Sequence, residues 1–158
     1  MLASLRCFRG RIYARNCNVP DKMIRILLVE DSKFLRLATE RALARAGYQM
    51  SSAMDGDEAL RMAHEGLPDL ILLDMLLPKM SGPDVLKALK KDPATQSIPV
   101  VVMTGMSEKN AARLREDGAV AFLEKSALEL DKGSAKLLTA LQEILQKLPT
   151  IQARTATV

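Results

Sequence analysis

At 158 residues, 48% apolar and 27% charged, the chain has the length of one domain and enough apolar side chains for its own core. No apolar run approaches the roughly 18 residues of a membrane-spanning helix, and 3% aromatic residues with no Trp disfavour base-stacking recognition of single-stranded nucleic acid. Arg6, Arg9, Arg11, Arg15 and Lys22, against Asp21 alone, carry the whole net charge of +4 and leave residues 23–158 neutral, which argues against a basic nucleic-acid-binding face on the body.

In chain order, residues 1–22 read as a basic extension, either a disordered arm or an upstream start. The segment lacks the continuous apolar stretch of a secretory signal. It also holds both cysteines, Cys7 and Cys17, so nothing resembles a secreted disulfide framework, and the cysteine-free body fits a reducing, cytoplasmic setting. From Met23 onward short apolar runs alternate with helical-period segments, the pattern of βαβ units and a parallel sheet. The first run is 24–29, and Ser32 is placed to cap a helix to about Ala46, with Leu35, Ala38, Ala42 and Leu43 on one face and Gly47 as its stop. A second run, 49–53, precedes a helix over 57–65 ended by Gly66 and Pro68. The third run, 70–73, leads to a helix with Pro83 in its first turn, running to about Lys91. The fourth, 100–103, precedes a helix over about 108–117 closed by Gly118. The fifth, 120–123, is followed by the longest helix, about 134–148, limited by Pro149. The first, third and fourth runs are almost wholly apolar, as strands covered on both faces should be, and the mixed second and fifth suit edges. The expected domain is therefore 23–148, a doubly wound five-stranded parallel α/β sheet with helices on both faces, followed by a short polar tail at 149–158.

In such a sheet right-handed crossovers put every strand-to-helix loop on one rim, where ligands bind. The first strand ends in Glu30-Asp31, the third in Asp74, the fourth in Thr104, and Lys125 follows the fifth by two residues. Taken singly, each is an ordinary helix cap or surface group. Together they bring three carboxylates, a hydroxyl and an ammonium to one rim. Carboxylates that close repel one another unless a cation or a raised pKa relieves them. An all-oxygen set with no Cys or His favours a hard divalent ion, and Mg²⁺ needs only one or two carboxylates. With Lys125 and Thr104 opposite, the rim suits a phosphoryl group in transfer to a carboxylate nucleophile. His64, the single histidine, falls on the second helix away from this rim, and the nine Met read as core filler.

Residues 23–148 resemble the receiver domain of two-component response regulators. The resemblance is carried by ILLVEDS at 26–32, DLILLDMLLPKMSG at 69–82, PVVVMTG at 99–105, GAVAFLEK at 118–125 and DGDEAL at 55–60. It implies a flavodoxin-like sheet of strand order 2-1-3-4-5. It further implies Asp74 as phosphoacceptor, and Glu30, Asp31, Asp74 and the Leu76 backbone carbonyl around Mg²⁺, with Asp31 a direct ligand and Glu30 acting through water. Thr104 and Lys125 would contact the phosphoryl oxygens, and Phe122 would be the aromatic that moves when Thr104 is drawn in. The implied partners are a histidine kinase or histidine phosphotransfer protein, and a downstream protein bound through helix 4, strand 5 and helix 5. The implied role is phosphorylation-controlled binding or phosphorelay rather than enzymatic turnover.

One departure stands out. The family usually has Pro after the Lys, in a cis bond, where this chain has Ser126; a cis bond before Ser costs about 2.5–4 kcal/mol, so a trans bond and a reshaped loop are expected. Leu76 and Met106, two positions past Asp74 and Thr104, occupy sites that in the family tune acyl-phosphate lifetime. Two other classes compete. A haloacid-dehalogenase-type phosphatase needs a second Asp two residues after its nucleophile, where Leu76 offers no general acid, and a receiver-like scaffold would carry the fold without being phosphorylated.

Overall fold

A computed structural model describes residues 23–105, 111–125, 135–149 and 151. The five apolar runs form β1 (Arg25–Val29), β2 (Gln49–Ala53), β3 (Leu70–Asp74), β4 (Val100–Thr104) and β5 (Ala121–Glu124). The helical segments form α1 (Lys33–Arg45), α2 (Gly56–Gly66), α3 (Gly82–Lys91), α4 (Ala111–Glu116) and α5 (Ala135–Lys147). All neighbouring strands are parallel in the order β2-β1-β3-β4-β5, with Ile26 opposite Leu70 and Leu73 opposite Val102. The apolar central runs thus lie inside the sheet and the mixed ones at its edges.

Strand side chains alternate between faces, and the two faces build two cores. On one, Leu27, Val29, Ile71, Leu73, Val100 and Val102 pack with Ala59 and Ala63 of α2, Val85, Leu86 and Leu89 of α3, and Leu114 of α4. On the other, Ile26, Leu28, Leu70, Leu72, Val101 and Met103 pack with Leu43 of α1 and Leu137, Leu141 and Leu145 of α5. Each fully buried Leu or Ile contributes on the order of 2 kcal/mol.

Local chemistry sets the helix ends. The Ser32 hydroxyl accepts the Leu35 N–H at 3.4 Å, and Asp55 accepts the Glu58 N–H at 2.9 Å while Glu58 reaches back to the Met54 N–H at 2.8 Å, a reciprocal cap. Three details differ from the sequence reading. Gly66 stays helical and Leu67 takes the left-handed cap at φ 42, because Pro68 forces the chain out of the helix there. On the face of α1 expected from Leu35, Ala38, Ala42 and Leu43, only Leu43 is fully buried while the other three are half-buried, and Thr39, not expected there, is buried beside it. Ile151, assigned to the polar tail, is buried in the α1–α5 core, its amide donating to the Leu148 carbonyl at 3.1 Å.

Candidate phosphoryl and metal site

β3 and β4 each extend one residue beyond their apolar runs, so Asp74 and Thr104 are the last residues of their strands. Glu30 follows β1 directly; its N–H still bonds the Ala53 carbonyl at 3.1 Å, which carries the ladder to the rim. The sheet therefore delivers Glu30, Asp31 and Asp74 to one place, with carboxylate oxygens all within 4.8 Å of one another. Glu30 and Asp74 are each only 2% exposed, whereas Asp31 is open to solvent.

Lys125 reaches across from the β5 edge. Its Nζ lies 2.6 Å from Glu30 Oε2 and 2.7 Å from Asp74 Oδ2. The remaining oxygens are held by backbone: Ser32 N–H donates to Glu30 Oε1 at 3.2 Å and Leu76 N–H to Asp74 Oδ1 at 3.1 Å. Burial pushes the Glu30 carboxyl above its ordinary value, and the Asp74 charge adds to this; the hydrogen bond and charge of Lys125 return only part of the shift. Burial pulls the Lys125 ammonium down, but the hydrogen bonds and charges of Asp74 and Glu30 together outweigh it, and the net shift is upward.

Three carboxylates face one ammonium. At 4.8 Å, a pair of like charges repels by about 1 kcal/mol in water and about 3–4 kcal/mol at the effective dielectric of a protein surface. One lysine leaves that repulsion uncompensated for Asp31. The all-oxygen donor set and its compactness fit a hard divalent cation.

Thr104 is half-buried at the end of β4, one residue beyond the Met103 that pairs with Asp74. Phe122, half-buried, pairs with Val102, packs against the α2–α3 core and carries the Arg115 guanidinium 5.4 Å from its ring centroid. Thr104 and Phe122 line one cleft with Leu76, whose side chain is 66% exposed. His64 is exposed on α2. Met106 and Ser126 lie outside the described residues, and with them the bond after Lys125.

The model of the response regulator receiver domain matches residues 26–148. This chain belongs to that family. Among the receiver proteins it resembles, response regulator PleD of Caulobacter vibrioides is 43% identical over 102 residues, which is 64% of this chain and 22% of that protein. The polar-differentiation response regulator DivK of Brucella anthropi is 36% identical over 101 residues, 63% of this chain and 82% of that protein. The solved structure of chemotaxis response regulator CheY4 of Vibrio cholerae superposes with a TM-score of 0.70 at 29% identity, covering 78% of this chain and 99% of that one. The matched stretch thus spans about a fifth of PleD and most of DivK. As a receiver domain of two-component signalling, the protein has the five-stranded parallel sheet of its relatives, and no helix among the described residues is long and apolar enough to cross a membrane.

Sequence reasoning missed three groups around the site. Arg36, in the first turns of α1, donates from Nη1 to the carbonyls of Glu30 at 2.9 Å and Asp31 at 3.3 Å. Lys79, with a left-handed backbone at φ 65, pairs with Asp55 at 2.7 Å and ties the loop after Asp74 to the start of α2. Arg115 covers the Phe122 ring. Arg36 had left one trace in the sequence: a cation near a helix N-terminus opposes the helix dipole and calls for a nearby acceptor.

Proposed function

We propose that this receiver domain accepts a phosphoryl group on Asp74 from a histidine kinase or histidine phosphotransfer protein, in a Mg²⁺-dependent reaction. It then signals through phosphorylation-controlled protein binding or by passing the group onward. The observation that carries this reading is the pairing of one lysine with two buried carboxylates, Glu30 and Asp74, beside the exposed Asp31. In the transfer a carboxylate oxygen of Asp74 forms the new P–O bond as the P–N bond of phosphohistidine breaks, and the imidazole nitrogen departs with the bonding pair. Glu30, Asp31, Asp74 and the Leu76 carbonyl would hold the metal. Bound Mg²⁺ would offset carboxylate charge and orient the phosphoryl oxygens. Lys125 supplies a fixed positive charge where negative charge collects, and the Thr104 hydroxyl offers a hydrogen bond to a phosphoryl oxygen. Phe122, lining the same cleft as Thr104, follows that hydroxyl and alters the surface of α4, β5 and α5, where a downstream protein would bind. The body at 23–148 is the acting module, in a cytoplasmic setting, and its chemistry is confined to its own phosphorylation and dephosphorylation.

Incubation of the full chain with acetyl phosphate and Mg²⁺ tests the reading. One acid-stable, base-labile phosphoryl group is expected per chain, absent without Mg²⁺ and absent in Asp74→Asn. A label that survives in Asp74→Asn, or that sits on Ser or Thr, overturns the assignment.

A further inference from the structure

Glu30 and Asp74 are buried and clamped by Lys125, so their directions are set by side-chain contacts. Asp31 differs. Its carboxylate is exposed, and among the described residues none donates a hydrogen bond to it or pairs with it. The direction of the Asp31 Cα–Cβ bond, the base from which its carboxylate turns about χ1, is therefore set by its backbone, that is, by the two peptide planes on either side of its Cα. The carbonyl of Glu30 lies in the plane before it and the carbonyl of Asp31 in the plane after it. A single atom, Arg36 Nη1, holds both, at 2.9 and 3.3 Å. Arg36 is anchored in turn within α1, its N–H bonded to the Ser32 carbonyl at 2.9 Å.

From this geometry we infer that Arg36 is a positioning residue for the metal: by fixing both peptide planes around Asp31 it aims that carboxylate at the cluster shared with Glu30 and Asp74. The inference rests on the reading of this rim as a Mg²⁺ site. Charge alone predicts the opposite sign, because a guanidinium near a divalent cation repels it and its removal should tighten binding. Geometry and charge are therefore separable. A lysine at position 36 keeps the charge, but its ammonium ends one bond nearer the Cα than Nη1 and is not held in a rigid plane, so it does not reproduce the reach to both carbonyls.

The test is titration of the full chain with MgCl₂ by isothermal calorimetry, comparing wild type, Arg36→Lys and Arg36→Gln. Leu43→Val serves as the control, since it loosens α1 from the core without touching the turn. Partners that orient a metal ligand typically govern metal affinity by ten-fold or more, so Arg36→Lys and Arg36→Gln should each weaken Mg²⁺ binding about ten-fold. Leu43→Val should bind as wild type does, even where its metal-free unfolding midpoint falls as far as that of the Arg36 variants. Wild-type affinity in Arg36→Lys, tighter binding in Arg36→Gln, or equal weakening in Leu43→Val overturns the role of Arg36 while leaving the metal site intact. A wild-type chain that binds no Mg²⁺ overturns the metal reading, and this inference with it.

Discussion

Gly82 shows how little room the acceptor residue has. A Cβ added there would lie 2.5 Å from the Asp74 carbonyl oxygen and 2.5 Å from the Met75 Cα, both backbone atoms that cannot swing aside. The Gly82 N–H bonds the Met75 carbonyl at 3.2 Å, so the start of α3 is pressed against the end of β3. Gly82→Ala should therefore lower stability by about 1–3 kcal/mol, the usual range for overpacking, and reduce phosphoryl uptake at Asp74. Gly66→Ala is the fitting contrast: nothing lies within 4 Å of its added Cβ and its φ is not positive, so urea denaturation should find it neutral or slightly stabilised. Equal losses in both variants would show that the crowding at Asp74 is not what Gly82 relieves. The acidic residues of the site were legible at this scale because a carboxylate directly after an apolar run is visible in the chain itself. Arg36 was not, because its acceptors are backbone carbonyls, and any residue type would have supplied them.

The N-terminus of α2 joins two rim loops. Asp55 caps the helix through one oxygen and takes the Lys79 ammonium on the other, while Gly56 lets Met80 and Val85 approach the helix start. The hydrogen bond from Lys79, followed by that from the Glu58 N–H, holds the Asp55 carboxyl below its ordinary value of 3.8. A depressed folded-state pKa means stability that is present above pH 3.8 and lost as pH falls through the lowered value. Asp55→Asn keeps a side chain able to cap and removes the charge. Wild type should unfold at a higher temperature than Asp55→Asn at neutral pH, and the gap should close as the solution is acidified below 3.8. A gap that widens in acid would contradict the pairing. Because Lys79 is largely exposed, added salt should narrow the neutral-pH gap as well. At the opposite rim the Arg25 guanidinium donates to the carbonyls of Gly66 at 2.9 Å and Leu67 at 2.7 Å and pairs with Asp69. That cluster closes the end of α2 and leaves the chemistry to the other rim.

Over the whole molecule, the two cores and the residues packed against them begin at Ile24 and include Ile151. None of the described core residues precedes Ile24, and the basic charge excess lies before Met23. A chain beginning at Met23 should therefore fold with the same cooperative transition as the full chain and take up phosphoryl at the same rate. Loss of either would assign residues 1–22 a part in the domain. A cut at 148 is a different matter, since it removes a buried isoleucine.

The succession of five strands and five helices, the two-sided burial of the central strands and the identity of the acids at the rim followed from the sequence, because each depends on residues a few positions apart. Apolar alternation and capping side chains act over one or two turns of chain. The tertiary structure alone decided that Lys125 meets Glu30 across 95 positions, that Arg36 spans the carbonyls flanking Asp31, and that Asp31 stays open while its two fellow carboxylates are buried. Those facts depend on which strands lie side by side and on a few tenths of an ångström between atoms far apart in the chain. No local pattern encodes such a distance; it exists only once the sheet has closed.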